Sequence, residues 1–255
     1  MKFINPFIAY PHPGIAVLET AEAWWDAEHT GNTIVSGAFS NLVDLSGNSN
    51  DISQSTAGNR PLRTTDSDGN VGAEFDGSND YLTTSTGSDD FMRNFDAGGT
   101  VIIALRTDSN GAGGFGRLYC KGTNSEKAFT QNSMRHLFTF AMSTTEAVYQ
   151  LTTQISFGVK HVISFAIDKT NTTATAKMTV DSNVYTPGAG ITENNAGAGT
   201  PTDHAGLSFF FGNSSSTTAC TDGLIYAMAF FDTILSDADR DNVIAYWGQR
   251  YNITI

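Results

Sequence analysis

The sequence predicts an all-β fold, a two-sheet jelly-roll β-sandwich with one short C-terminal helix. Three observations carry this. About ten segments of strand character recur along the chain, separated by clusters of Gly, Asn, Ser and Asp that make polar turns. Of the 255 residues 40% are hydrophobic, 17 of them Phe, enough to fill a core between two sheets. A convincing helical pattern occurs once, near the C-terminus.

Taken in order, residues 1–18 stand apart. They hold half of the six prolines together with Phe3, Ile4, Phe7, Ile8 and Tyr10. Proline removes donors and fixes φ, so an extended apolar arm is expected, not a regular helix or central strand. These five apolar residues need burial, either on the chain's own sandwich or by docking on another subunit; the docking arm is the preferred reading. Residues 19–255 are expected to form the sandwich.

Strands follow over residues 71–75, 81–84, 101–105, 118–121, 136–142, 147–153, 161–168, 173–180, 206–212 and 224–231. The clearest alternates Ala174, Ala176, Met178 and Val180 with Thr173, Thr175, Lys177 and Thr179, a period of two. Residues 101–105 are apolar on both faces, as in a strand covered from both sides. Residues 188–201, rich in Gly, Ala and Asn, read as a surface loop. In the C-terminal helix Ser236 is the expected N-cap, Asp237 and Asp239 complement the dipole, and Val243, Tyr246 and Trp247 share a face.

Charge and length exclude several partners. Lys plus Arg total 14 against 26 Asp plus Glu, a net charge of −12, with no basic cluster to reverse it. A phosphate backbone is repelled by such a field, so no nucleic acid is expected. The longest apolar run, residues 224–231, is far short of a membrane helix, so no membrane insertion is expected. No small-x-small cleavage site follows Lys2, so no signal peptide is expected either. Cys120 and Cys220 make no disulfide framework; two buried thiols are the favoured reading, a single bridge requiring neighbouring strands.

An ordered series of motifs adds a family resemblance. Ala23-Trp24-Trp25-Asp26-Ala27 looks like a first strand. Asp44-Leu45-Ser46-Gly47-Asn48-Ser49-Asn50-Asp51 is similar to a D-x-S-G-N-x-N-D turn, and Arg60-Pro61 follows. Glu74-Phe75-Asp76-Gly77-Ser78-Asn79-Asp80-Tyr81-Leu82 is close to F-D-G-x-x-D-Y-L. Lys160-His161-Val162 resembles a W-H-H-V strand start. The block from Asp222 through Leu235-Ser236-Asp237-Ala238-Asp239-Arg240 matches a G-x-I…L-S-x-x-E ending. In this order, over residues 23–250, they resemble the laminin-G-like members of the concanavalin A-like lectin/glucanase superfamily. Leu42 and Lys160 depart from the pattern at positions where aromatic or His residues are common.

The resemblance implies a jelly roll with ligand sites on rim loops, but no function by itself, since the fold hosts lectins, hydrolases and structural modules. Domains of this short-motif style suggest a phage virion protein. The expectation is therefore a non-enzymatic capsid decoration protein on the particle surface, bound to other virion subunits through the arm as a homo-oligomer. A cell-surface glycan is its expected outer partner. The alternatives are a tail adhesin, a free carbohydrate-binding lectin that is extracellular without a signal peptide, and more distantly a polysaccharide hydrolase.

Catalytic chemistry finds little purchase. The seven glutamates show no Glu-x-Asp-x-Glu strand, the arrangement a retaining glucanase needs. There is no Gly-x-Ser-x-Gly elbow, and the five histidines include no close-spaced pair of the zinc type. No cofactor is required. Calcium is the one plausible ion, on Asp66, Asp68 and Asn70, although Asp-Gly-Asn between strands is also a plain hairpin turn, the favoured reading. A sugar would need an exposed aromatic platform, for which Trp24, Phe115 and Tyr119 are the candidates. Trp24 and Trp25 are adjacent on a strand and point to opposite faces.

Overall fold

A computed structural model describes residues 12–84, 98–122, 126–131, 135–140, 145–168, 175–199, 207–214 and 218–255. Phe3, Ile4, Phe7, Ile8 and Tyr10, the docking-arm residues, lie outside them. No helix among the described residues is long and apolar enough to cross a membrane.

The described end of the arm departs from expectation. Pro13–Leu18 is a helix, α1, with proline at its first turn, where the missing N–H has no helical partner to lose. His12 Nδ1 accepts the Gly14 N–H at 3.1 Å. A Cβ on Gly14 would stand 2.4 Å from the Asn242 carbonyl, so glycine lets α1 lie directly on the C-terminal helix. Leu18 is fully buried. Residues 13–18 are thus helical and packed on the sandwich, where an extended segment was expected.

The strands are β1 (Ala23–Asp26), β2 (Thr33–Val35), β3 (Ala38–Leu42), β4 (Ile52–Ser53), β5 (Leu62–Thr65), β6 (Val71–Asp76), β7 (Leu82–Thr83), β8 (Gly98–Thr107) and β9 (Phe115–Lys121). Then come β10 (Glu126–Gln131), β11 (Arg135–Phe140), β12 (Thr145–Leu151), β13 (Lys160–Asp168), β14 (Lys177–Val180), β15 (Asn183–Pro187), β16 (Gly190–Ala198), β17 (Phe209–Phe211) and β18 (Asp222–Phe231), followed by helix α2 (Asp237–Tyr251). Strand β16 corrects the expected loop over residues 188–201. Its backbone pairs antiparallel along β12, which holds a Gly- and Asn-rich segment extended despite weak intrinsic preference.

The ladders close a circuit. From β18 it runs through β6, β5, β3, β4, β7, β17, β9, β10, β11, β12, β16, β15, β14, β13 and β8 back to β18. Flattened, this is two layers. The back layer holds β5, β6, β18, β8, β13, β14 and β15, with β1 on β18. The front layer holds the rest, joined to the back at Ala38↔Leu62 on one edge and Thr186↔Gly190 on the other.

Two cores result. Between the layers lie Trp25, Phe39, Leu42, Phe75, Val101, Ile103, Leu105, Tyr119 and Phe165, among others. On the outer face of the back layer Ile102, Ala104, Val162, Leu224 and Tyr226 pack against Leu18, Val243, Ile244 and Trp247. Strand β8 thus divides Val101, Ile103 and Leu105 from Ile102 and Ala104, as its two-sided apolarity requires. Strand β18 does the same, with a bulge between Ile225 and Ala227 that puts Tyr226 and Ala227 together on the helix side. Ser236 caps α2, its Oγ accepting the Asp239 N–H at 3.1 Å.

Candidate functional site

The sequence motifs resolve first into turn chemistry. Asp44, nearly buried, accepts hydrogen bonds from the backbone N–H groups of Trp24, Ser46 and Asn50 at 2.9–3.0 Å and from Ser46 Oγ. Asn48 and Asn50 donate through their amides to the Glu22 carbonyl. Trp25 Nε1 donates to the Asn50 carbonyl at 3.0 Å. The D-x-S-G-N-x-N-D turn therefore ties β1 into the sandwich. In the second motif Asp76 accepts from the Ser78 and Asn79 N–H groups, and Asp80 from that of Asp76. Burial, with Asp76 beside it, pushes the Asp80 carboxyl up to about 7. Both cysteines are buried thiols outside any disulfide, as favoured; burial raises the Cys220 thiol to about 12, so it is no activated nucleophile.

The aromatic candidates do not meet. Tyr119 is fully buried between the layers, stacked on Phe209 and edge-on to Phe230 at 5.0 Å, so it offers no face to a ligand. Its neighbours Leu118 and Cys120 are buried too. Trp24 is half-buried and packs against the helix-side core. Of the three, Phe115 alone is exposed, at the end of the glycine-rich loop of residues 111–116.

The calcium candidates meet a different cation. Residues 66–70 form the expected turn: the Asp66 N–H donates to the Asn70 carbonyl at 2.9 Å, and Asp66 Oδ1 accepts from the N–H groups of Asp68 and Asn70. Lys160 Nζ then reaches Asp66 Oδ2 at 3.1 Å, Asp68 Oδ2 at 2.5 Å and the Tyr251 carbonyl at 2.7 Å. Asn70 Nδ2 is turned onto that same carbonyl. An ammonium group thus stands at the carboxylates that were the calcium candidates, and no group of three metal-ligating side chains occurs among the described residues. The last carbonyl of α2 reinforces the choice, since a helix C-terminus favours a cation. Burial pushes the Asp66 carboxyl upward, but bonds from Asn70, Lys160, Tyr226 and Asp68 outweigh it and hold it at about 2. Burial and Asp66 together raise the Tyr226 phenol.

This network walls a cleft of about 420 Å³, opening beside the end of α2 and lined by the 66–68 turn, Arg106, residues 158–161, Asp181 and residues 252–254. Register explains the convergence. Strand β8 pairs with both β13 and β18, and Arg106 is the direct partner of Lys160. Two like charges so placed repel. Each is neutralised in its own way: Lys160 by Asp66 and Asp68, Arg106 by a bidentate pair with Asp108 at 2.7–2.8 Å. On the far wall His161 Nδ1 lies 2.9 Å from Asp181 Oδ2, while Asp181 Oδ1 accepts the Val162 N–H. His161 Nε2 is buried and has no hydrogen-bond partner among the described residues. Sequence reasoning missed Arg106 and Asp181. The one signal was Lys160 itself, a lysine where the resembled family carries an aromatic or His.

No protein-family model and no characterised protein sequence matches the chain. Solved structures do match its fold. A receptor-binding domain superposes with TM-score 0.62 at 9% identity, covering 92% of this chain and 53% of that one. The binding domain of botulinum neurotoxin DC in complex with SialylT gives 0.61 at 8%, covering 90% and 52%. Trypanosoma rangeli sialidase in complex with sialic acid gives 0.55 at 13%, covering 89% and 33%. The chain spans about half the length of the first two and a third of the sialidase. Identities this low establish fold alone, and that fold is the expected two-sheet jelly-roll β-sandwich of concanavalin A-like type.

Proposed function

We propose that this protein is a non-enzymatic glycan-recognition module, a lectin-like sandwich that takes a saccharide in the cleft beside Lys160. The cleft carries the reading. Its volume falls in the range of small-ligand sites, and its walls supply fixed carboxylate acceptors, an arginine donor and an imidazole, the groups that recognise hydroxyls. Fold neighbours that are themselves binding domains support a recognition role. Capsid decoration and tail adhesion are narrower forms of the same proposal, adding a particle and a docking arm. The fold neighbours named above are described as binding domains and a sialidase, which supports the free lectin reading ahead of them.

The test is a glycan array probed with the full chain, with calcium and with chelator. Binding to one saccharide class, unchanged by chelator because Lys160 holds Asp66 and Asp68, is expected. Absence of binding to every saccharide would overturn the reading. So would polysaccharide turnover abolished by a single carboxylate substitution, which would make the chain a hydrolase.

A further inference from the structure

We infer that the saccharide this cleft accepts is neutral, and that terminal sialic acid is rejected, an inference that rests on the glycan-recognition reading. Both cations among the described lining residues are already charge-paired. Lys160 Nζ spends its three protons on Asp66, Asp68 and the Tyr251 carbonyl. Arg106 directs Nε and Nη2 at Asp108, an arrangement in which guanidinium and carboxylate planes match.

The surplus is negative. Asp66, Asp68 and Asp181 line the cleft and Asp108 stands on Arg106, four carboxylates against two cations. An anionic sugar would have to break one of these pairs or sit in their combined field, with the net charge of −12 behind it. A neutral sugar meets no such cost. Its hydroxyls donate to Asp68, whose side chain is 45% exposed, and to Asp181, at 18%. Val159, exposed at the cleft, offers an apolar contact for a ring face.

The experiment titrates the full chain with matched oligosaccharide pairs, drawn from the array, that differ only in terminal sialic acid. The neutral member is expected to bind at least tenfold more tightly. Asp68→Asn, which removes one surplus charge, should narrow that ratio. Val159→Trp, which fills the cleft without touching the charge network, should abolish binding while the thermal midpoint stays within a few degrees. Binding of neither member of any pair overturns the recognition reading itself. Equal or tighter binding of the sialylated member, or neutral binding that survives Val159→Trp, overturns this inference and leaves recognition standing.

Discussion

At the scale of single residues, Lys160 organises the carboxylates of the 66–70 turn. It neutralises one almost wholly buried carboxylate and one half-exposed one, so removing it strands charge that burial has already desolvated. Lys160→Met should cost about 3 kcal/mol at neutral pH. Asp66 sits below its ordinary value, so its contribution is present above about pH 4 and is lost as pH falls toward 2. The penalty of Lys160→Met, measured by urea unfolding, should therefore shrink over that window. Asp80 has the opposite sign. Its folded value of about 7 exceeds the unfolded one, so the folded state holds the proton more tightly and stability falls as pH rises from about 4 to 7. Asp80→Asn should abolish that decline, worth at most about 4 kcal/mol, with denaturant midpoints at pH 4.5 and 7.5 becoming closer than in the parent. The Asp44 turn was legible in the sequence because all its partners sit within a few residues or on one neighbouring strand. The His161–Asp181 pair was not, since it exists only once β13 and β14 fix their register.

At the scale of elements, legibility followed periodicity. Strand β8 and helix α2 announced themselves because long apolar patterns have one burial solution. Short strands such as β2 and β4, and the glycine-rich β16, carry too little pattern; their neighbours impose extension. Helix α1 escaped because three prolines in one segment argue against helix, while proline at the first turn does not. Contacts between elements also fix where a side chain is forbidden. Gly212, at φ +81°, follows β17, and a Cβ there would lie 1.9 Å from the Phe75 ring in the inter-layer core. Gly212→Ala combines a strained backbone with overpacking, so a loss of about 3 kcal/mol in chemical denaturation is expected. A loss under about 1 kcal/mol would mean that Phe75 can move aside, and that the aromatic cluster of Trp25, Phe209, Phe211 and Phe230 is looser than its edge and stacking contacts indicate.

At the scale of the whole molecule, the closed circuit of strands makes the cleft a consequence of topology. The turn between β5 and β6, the end of β8, the start of β13, Asp181 and the tail after α2 are far apart in sequence. They meet because β18 and β8 sit at the centre of the back layer and α2 is packed on its outer face. That is why the motifs disclosed the fold while the site stayed hidden: each local motif serves the turn it makes, and the cleft belongs to none of them. The loop around Phe115 is the competing location, since it carries an exposed aromatic ring.

The most direct test of the account is an amide chemical-shift titration of the full chain with its best-bound neutral oligosaccharide. Saturable shifts concentrated at residues 66–68, 158–161 and 252–254 are expected, with the loop of residues 111–116 unmoved. Shifts confined to residues 111–116 would place recognition on the rim and contradict the cleft.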